Sequence, residues 1–589
     1  MQRENLIKAI RGEIPMDLVI EKGQVVNVIT GAITSTTIGI KDGFIAAVLP
    51  EQIPLQGEQR VNAEGFFILP GFIDAFSNFS KALLHPYHFS KMVLPHGVTT
   101  AVADMTSFAE VFGNRGTESL LAISQDLPIN LYYTAPVQIP VFPGLETTGG
   151  DYQDDDISSL LSAPSVLGIG PLLNENEILA ASPRMERYQT LSKNRFPLAS
   201  TLTHFGETQK QEALLYGIGV ELSSFERNIT AAASRGQYVP LSLQDLNAER
   251  MERILSLPDR SKIFFYSGNE WSDFYMRHGH LDEVVQKAIT LGMEPVEAIQ
   301  CATARPARCL GLEQLHGFIS PGLTADLIFT RSITALRVEM IVRAGQVSYT
   351  KNKEIPTGQH VDFPLEMTKS IEVKRCWPHH FKLPQTEQPT AKAHVLSTIT
   401  GSTELNITEK TLVVDENKQI LCDKDMVRAV LFERYGKRNM HQQLALIQGI
   451  GSIDGAIATT YAPHTHPLLV LGNDESDMAM AANMLIASGG GMVAIQRGQL
   501  IQSVDLPVGG VCADESPEEL AKRLTAFSDV LRQVMGMRHQ RPLDWLTSLC
   551  DTTLPGYHLT DYGIVNSERQ EHFPLWIDTE IIQAAETYQ

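Results

Sequence analysis

Short apolar runs alternate with helical patterns through the N-terminal half of the chain. The first run begins at Phe66, passes Pro70-Gly71 and ends in a small polar cluster at Asn78. Further runs rich in apolar and β-branched residues follow at 98–104, 129–134, 165–170, 195–201, 217–221, 238–242 and 262–266. Intervening segments such as 118–124 and 282–289 space their apolar residues as helices do. Low charge is typical of parallel strands covered on both faces, so the pattern predicts an α/β fold with a (β/α)8 TIM-type barrel.

Hairpin-like patterns stand on both sides of the predicted barrel. Before it, β-branched runs are separated by Lys22-Gly23 and Asp42-Gly43, which are typical of tight turns. After it, similar runs occur at 317–329 and 342–347. A chain that leaves a β-unit and returns to it encloses an insertion of about 250 residues, the usual size of such a barrel. We predict a composite β-domain at 1–65 plus 316–350 and a barrel at 66–315.

The rest of the chain divides into a linker and a further domain. Residues 351–395 contain five prolines among polar neighbours, a composition typical of a linker. Strand patterns restart near His394, and a later helical pattern at 517–524 follows Ser516, a favourable N-cap. We predict an α+β domain at 396–589.

Composition narrows the range of partners. The chain of 589 residues carries a net charge of −20, which argues against nucleic acid because binding to phosphates draws on clustered Lys and Arg. No run approaches the roughly 20 apolar residues of a membrane span, and the polar start does not resemble a secretory signal. We expect a cytoplasmic protein that binds neither nucleic acid nor membranes.

Several motifs are spread along nearly the whole chain. The N-terminal part contains PGFIDA at 70–75, VLPHGVTT at 93–100, HGHLD at 278–282, ARPAR at 304–308 and PGLTAD at 321–326. The C-terminal part contains GNDESDM at 472–478, SGGG at 488–491 and LTDYG at 559–563. In these motifs the chain resembles the bacterial adenine deaminases, which are amidohydrolases. The resemblance implies a metal-dependent hydrolase barrel and the conversion of adenine and water to hypoxanthine and ammonia.

The family's metal ligands do not carry over to this sequence. The resemblance implies manganese, iron or zinc, held at the barrel strand ends to make hydroxide from water. The matching positions hold Phe76, Asn78, Thr106, Ser107, Pro171, Thr201 and Ser267. Losses at so many strands cannot be repaired by local shifts, since metal affinity depends on several donors at fixed distances. We therefore expect no metal cofactor, and deamination that is lost or strongly impaired.

A few polar side chains could supply other chemistry at the barrel mouth. His204 follows the fifth strand and Glu221 ends the sixth, so both could bond a ligand there. His464 and His466 are two residues apart, and on a strand they would face one side and could meet one ion or substrate. The resemblance matches this stretch to a family HDSH motif that retains His466. Histidines at a surface or interface near a turn are the alternative.

Two other histidine groups have weaker functional interpretations. His278 and His280 are expected at the start of the helix after the eighth strand, where the resemblance implies a purine contact. His85, His88 and His96 lie in one helical stretch at the barrel rim. They could bind a metal, although solvated residues at a helix start explain them without one.

Three functional hypotheses remain from the sequence. The leading one is an adenine deaminase homologue that keeps the fold and lacks the metal centre, and whose barrel mouth binds a purine-like small molecule or serves regulation or assembly. The second is a hydrolase with a rebuilt centre that uses His204, Glu221 or the pair His464 and His466. The third is a structural subunit of an active paralogue. We also expect a homo-oligomer, such as a dimer.

Overall fold

The structure is a computed structural model of the chain. It describes residues 2–174, 177, 182–192, 198–200, 220–223, 229–351, 353, 355, 357–439 and 441–581. None of the helices in these ranges is long and apolar enough to cross a membrane.

The barrel is built from short parallel strands, as the sequence predicts. In chain order they are Phe72–Ser77, Val98–Asp104, Asn130–Ala135, Val166–Ile169, Leu198–Ser200, Val220–Ser223, Val239–Leu241 and Ile263–Phe265. The first four pair in sequence order, and the fifth pairs with the sixth as the seventh pairs with the eighth. The second strand buries every residue from 98 to 103, the pattern of a strand covered on both faces.

Helices follow the barrel strands and cover them from outside. They are Pro86–Val93, Thr106–Phe112, Asn114–Ile123, Asp154–Ser162, Pro183–Ser192, Ile229–Arg235, Ala248–Ser256, Ser272–His278, Leu281–Thr290, Pro295–Cys301 and Ala304–Cys309. Several have clear start signals. Asn247, for example, accepts a hydrogen bond from the backbone N–H of Arg250 and begins the helix Ala248–Ser256.

A composite sheet of eight strands stands beside the barrel. Seven of its strands lie in the order Gln346–Thr350, Met340–Arg343, Leu327–Thr330, Phe67–Pro70, Met16–Val26, Ile33–Lys41 and Phe44–Pro50. The strand Gly57–Asn62 pairs with Met16–Val26, and the N-terminal helix Gln2–Ile10 packs over this sheet. Strands from before and after the barrel thus meet in one sheet.

The first apolar run of the sequence contributes one strand to each of two sheets. Phe67–Pro70 belongs to the composite sheet, whereas Phe72–Ser77 is the first barrel strand. Gly71 lies between them, and a Cβ atom at this position would meet Thr99 Oγ1 at 2.0 Å. The glycine therefore allows the two sheets to approach closely where the chain passes from one to the other.

The C-terminal part contains a ten-stranded sheet and three helices. Nine strands follow the order Ile420–Leu421, Leu405–Val414, Thr390–Thr398, Gln442–Gln448, Met426–Phe432, Leu468–Gly472, Ala456–Thr459, Gly491–Gln496 and Gln499–Asp505, and Trp576–Ile577 pairs with Thr390–Thr398. The helices are Glu475–Ser488, Pro517–Gln533 and Pro542–Ser548. A small sheet contains His558–Thr560, Gly563–Asn566 and Glu571–Phe573.

The segment predicted as a linker is partly structured. It contains the 3-10 turns Leu365–Thr368 and Pro378–Phe381. The strand Thr390–Thr398 begins inside the predicted linker. Its residues Ala391 and Ala393 are fully buried against the sheet core. One hydrophobic core also joins this part of the chain to the barrel, and in it the rings of Phe108 and Phe363 stack at 5.2 Å.

The close approach at Gly71 generates a first prediction. We expect Gly71→Ala to destabilise the protein by about 1–3 kcal/mol, because the added methyl group overpacks the site against Thr99. Urea unfolding followed by circular dichroism measures the loss. The double variant Gly71→Ala/Thr99→Ala should lose less than the sum of the two single variants, since it removes the atoms that clash. Additive losses would contradict the steric explanation.

Candidate functional site

Asp74 organises the barrel mouth from the first strand. Its side chain is fully buried, and its Oδ1 accepts a hydrogen bond from the backbone N–H of Ser267 at 3.0 Å. Its Oδ2 accepts one from the hydroxyl of Ser77 at 2.6 Å. Because Ser267 follows the eighth strand, the carboxylate of Asp74 connects the ends of the first and last barrel strands. Ser267 acts here through its backbone.

Phe76 and Asn78 lie at the end of the first strand, at the two positions where the resemblance places metal ligands. The Phe76 ring stacks on Phe264 with centroids 6.1 Å apart and meets Tyr266 edge-on at 6.0 Å. The Asn78 amide donates a hydrogen bond to Asn269 Oδ1 at 3.1 Å. An aromatic cluster and an amide pair therefore stand where the resemblance places two imidazoles.

Thr106, Ser107 and Pro171 lie at neighbouring strand ends. Asp104 ends the second strand, and its Oδ1 accepts hydrogen bonds from the backbone N–H and the hydroxyl of Thr106, at 3.1 and 2.7 Å. Burial raises the pKa of Asp104. Ser107 lies in the first turn of the helix that Thr106 begins, and Pro171 follows the fourth strand without any side-chain donor. Thr106 and Ser107 therefore form the start of a helix, and Pro171 lies just after a strand end.

His280 is buried close to Asp74. Its side chain is 1% exposed, and its Nε2 lies 3.7 Å from Asp74 Oδ2. Neither ring nitrogen has a hydrogen-bond partner among the described residues. Burial lowers the pKa of His280 to about 4, although the carboxylate of Asp74 acts in the opposite direction. The imidazole is therefore neutral at pH 7 and offers one donor and one acceptor.

His278 is separated from this pair. It is exposed at the end of the helix Ser272–His278, with its ring against Phe274 at 4.6 Å. Gly279, with φ of 78°, ends that helix, and His280 caps the next one. The prediction that both histidines begin one helix was wrong, because the glycine breaks the segment between them.

His464 and His466 converge on a carboxylate that sequence reasoning missed. Glu110 comes from the helix after the second barrel strand and is fully buried. Its Oε1 lies 3.0 Å from His464 Nδ1, and its Oε2 lies 3.2 Å from His466 Nε2. The available signal was a single acidic residue in the otherwise uncharged helix segment 106–112, since a buried carboxylate requires partners.

A turn, rather than a strand, presents the two histidines. His464 and His466 have φ angles of 70° and 45°, in the left-handed region, and they follow the strand Ala456–Thr459. The prediction that strand geometry would place them on one side was wrong. The turn nevertheless directs both rings to Glu110, at an interface between the barrel and the C-terminal sheet.

Glu110, His464 and His466 have strongly shifted pKa values. Burial acts to raise the pKa of Glu110, but the charge and hydrogen bond of His464 outweigh it and lower the pKa to about 2. Burial acts to lower the pKa of His464, but the negative charges of Glu110 and Asp551 raise it to about 10. Burial lowers the pKa of His466. Glu110 and His464 thus form a charged pair at pH 7, with His466 neutral beside them.

Glu146 adds a further buried carboxyl group at the same interface. It accepts hydrogen bonds from the backbone N–H groups of Val141 and Phe142, at 2.8 and 3.0 Å, and one from the hydroxyl of Thr552. Burial raises the pKa of Glu146 to about 7. The loop after the third barrel strand is thereby attached to the C-terminal part of the chain.

The described part of the mouth does not fit a metal ion. Throughout the described ranges, side chains of His, Cys, Asp and Glu come close enough for three of them to share an ion only at His85, His360 and Asp514. None of these belongs to a barrel strand end. His204 and Thr201 lie outside the described residues, as does the side chain of Glu221 in the sixth strand.

Comparisons with known proteins find similarity to adenine deaminases along most of the chain. Residues 397–571 match the family model of the adenine deaminase C-terminal domain, and residues 250–354 match that of the amidohydrolase family. The adenine deaminase of Moorella thermoacetica is 29% identical over 580 residues, which cover 95% of this chain and 96% of that protein. The adenine deaminase of Staphylothermus marinus is 27% identical over 602 residues, covering 98% of each chain.

Solved structures are more distant. A zinc-bound adenosine deaminase from Xanthomonas campestris is 16% identical, with a TM-score of 0.42, over 58% of this chain and 94% of that chain. A crystal structure of an adenine deaminase is 18% identical, with a TM-score of 0.40, over 57% of this chain and 100% of that chain.

The charged pair of Glu110 and His464 predicts a pH-dependent stability. The raised pKa of His464 gives stabilisation that is complete below the ordinary value of 6.5 and is lost as pH rises to about 10. The lowered pKa of Glu110 gives stabilisation that is complete above 4.5 and is lost as pH falls to about 2. At pH 6 we expect Glu110→Gln to cost about 3–5 kcal/mol in urea unfolding, because it removes one partner of a buried pair.

The cost of Glu110→Gln should become smaller at pH 9, because His464 is then neutral in the unfolded protein and must take up a proton to form the charged pair. Glu118→Gln is the matched control, since Glu118 is exposed on the next helix. We expect it to change the unfolding free energy by less than about 0.5 kcal/mol at either pH. An equal cost of Glu110→Gln at pH 6 and pH 9 would refute the charged pair.

Proposed function

We propose that the chain, which is similar to the adenine deaminases along most of its length, is a member of that amidohydrolase family and binds a purine-like small molecule at the barrel mouth without metal-dependent deamination. Amidohydrolases are metal-dependent enzymes, so the family leads one to expect a metal cofactor. The observation that carries the proposal is the packing of Phe76 between Phe264 and Tyr266, in place of a metal-binding imidazole.

Deamination of adenine requires an activated water molecule. Free water has a pKa of about 15.7, and the metal of these enzymes lowers it so that hydroxide forms near neutral pH. At the described strand ends, Thr106 bonds to Asp104 and Asn78 bonds to Asn269, so these side chains belong to the protein's own contacts. Pro171 contributes no donor at all. Such a set cannot hold an ion in the geometry that water activation demands.

The mouth retains features that suit a planar heterocycle. The Phe76 ring is partly exposed and favours stacking with a π-system, whereas Phe264 and Tyr266, on which it packs, are buried. His280 has a free donor and a free acceptor next to Asp74 that match the ring nitrogens of a purine, but its side chain is 1% exposed, so this contact requires a shift of the mouth. Apolar surface with a few convergent polar groups is the usual composition of a small-molecule site.

A rebuilt catalytic centre at His464 and His466 is less well supported. The nitrogen of His464 closest to Glu110 is used in their hydrogen bond, and the two imidazoles face different oxygens of that carboxylate. Metal binding there would break a buried ion pair, which is costly. The alternative of a structural subunit makes a distinct prediction, namely co-purification with an active amidohydrolase.

We expect no deamination of adenine by the purified chain. Protein incubated with adenine and added Mn²⁺, Fe²⁺ or Zn²⁺ should form no hypoxanthine above the rate without protein, as measured by liquid chromatography. An active adenine deaminase assayed in parallel is the control for the metal and the assay. Hypoxanthine formation that scales with the concentration of this chain would refute the loss of activity.

We expect adenine or hypoxanthine to bind with an affinity that isothermal titration calorimetry can measure. Phe76→Leu should weaken this binding about tenfold, because loss of an aromatic stacking contact costs about 0.5–1.5 kcal/mol in addition to lost area. Phe66→Leu is the matched control, since Phe66 packs on Phe329 in the composite sheet. It should leave the affinity unchanged. Absence of purine binding in the unmodified chain, or equal effects of the two variants, would refute the proposal.

A further inference from the structure

Three histidines and one aspartate from distant parts of the sequence meet beside the barrel rim. His85 and His88 lie at the start of the helix Pro86–Val93, whereas His360 and Asp514 come from the segments that follow the barrel. One ligand atom from each of His85, His360 and Asp514 lies within 4.8 Å of the others. We call these four residues the rim cluster.

Short contacts hold the side chains of the rim cluster together. His360 Nε2 lies 2.7 Å from Asp514 Oδ1, and His88 Nε2 lies 3.3 Å from the same oxygen. The rings of His85 and His360 are 4.6 Å apart at an angle of 31°, and those of His88 and His360 are 5.3 Å apart. Three imidazoles thus surround one carboxylate.

Backbone hydrogen bonds fix the segments that carry these side chains. The His85 N–H donates to the Ala513 carbonyl at 3.0 Å, and the Ala513 N–H donates to the Leu83 carbonyl at 2.8 Å. The N–H of Gln359, next to His360, donates to the Asp126 carbonyl at 2.7 Å. The arrangement is therefore determined by the fold and does not depend on the side chains alone, which is the condition for a preorganised site.

The protonation states also suit a cation. Burial lowers the pKa of His85 to about 4, so its ring is neutral at pH 7. Hydrogen bonds from His88 and His360 hold the pKa of Asp514 well below its usual range. Metal ligands must be neutral imidazole and ionised carboxylate, and His85 and Asp514 have these forms at pH 7. Asp514, His88 and His360 are also partly exposed, so an ion can enter from solvent.

We propose that the rim cluster binds a divalent transition-metal ion, with Zn²⁺ as the best match. Imidazole nitrogen and carboxylate oxygen are common zinc ligands, and His85, His360 and Asp514 supply three of the four donors of a tetrahedral site, with His88 beside Asp514. Ligands about 2.1 Å from a tetrahedral ion are about 3.4 Å apart, so the side chains need only small adjustments to reach one ion. His85 accepts a hydrogen bond from the Tyr87 N–H and faces the Val361 carbonyl at 3.1 Å, and coordination replaces one of these contacts.

The consequence of binding is structural. An ion in the rim cluster joins the helix Pro86–Val93 to His360 and Asp514, and so connects the barrel to the segments that follow it. A site that forms only in the folded state stabilises that state when the ion binds. The rim cluster is separate from the barrel strand ends, so this inference holds whether or not the chain binds a purine.

Titration of metal-free protein with Zn²⁺ by isothermal calorimetry tests the proposal. We expect one equivalent to bind and to raise the melting temperature. His360→Ala and Asp514→Asn should each weaken binding at least tenfold and abolish the rise in melting temperature. His278→Ala is the control, because His278 is exposed and lies outside the rim cluster; it should bind Zn²⁺ as the unmodified protein does.

Cobalt provides a second measurement. Co²⁺ bound to the unmodified protein should give the intense visible absorption of a tetrahedral site with nitrogen and oxygen ligands, and Asp514→Asn should lose it. In the absence of metal, both rim variants should keep a cooperative urea transition with a midpoint slightly below that of the unmodified protein, since each loses a partly exposed contact of Asp514. The proposal would be overturned if the unmodified protein did not bind Zn²⁺, or if both rim variants bound Zn²⁺ as tightly as the unmodified protein.

Discussion

The buried ion pair of Glu110 and His464 is the interaction on which the arrangement of the molecule depends. A carboxylate enclosed in protein is unfavourable unless a partner compensates for its lost hydration. Here the partner comes from a turn 354 residues later in the sequence, so the barrel and the C-terminal sheet must meet for either charge to be satisfied. Glu146 with Thr552, and Lys81 with Asp544 at 3.0 Å, strengthen the same interface. The C-terminal part is consequently bound to the barrel beside its mouth.

This requirement explains what sequence reasoning could and could not predict. The barrel strands were predictable because each is a short apolar run between helices, and the observed strands lie within a few residues of the predicted ones. The place of Phe76 and Asn78 at the end of the first strand was also predictable, since motif positions depend only on local sequence. Glu110 was not, because nothing within the segment 106–112 indicates which distant residue neutralises it. The turn at His464 could not be predicted either. Two histidines separated by one residue suggest a strand until their positive φ angles are known.

If the metal site has been lost as we propose, the contacts at the mouth make that loss hard to reverse. Thr106 now closes a turn with Asp104, Ser267 supports Asp74 through its backbone, and Phe76 belongs to an aromatic cluster. Restoring a ligand at one position would disturb a contact without supplying the other donors that affinity requires. The residues are therefore coupled through the new contacts, and a functional centre of the family type would need several changes at once.

The two strands on either side of Gly71, which belong to different sheets, affect how the protein folds during synthesis. During synthesis, Phe67–Pro70 leaves the ribosome long before Leu327–Thr330, the strand that pairs with one of its edges. Until then that edge offers unpaired backbone groups, which are prone to pairing with other chains. The composite sheet can be completed only after the whole barrel has been translated, so its closure involves contacts of high sequence separation, which form slowly. The N-terminal β-strands should therefore depend on chaperones or on rapid barrel formation in a way that a contiguous domain would not.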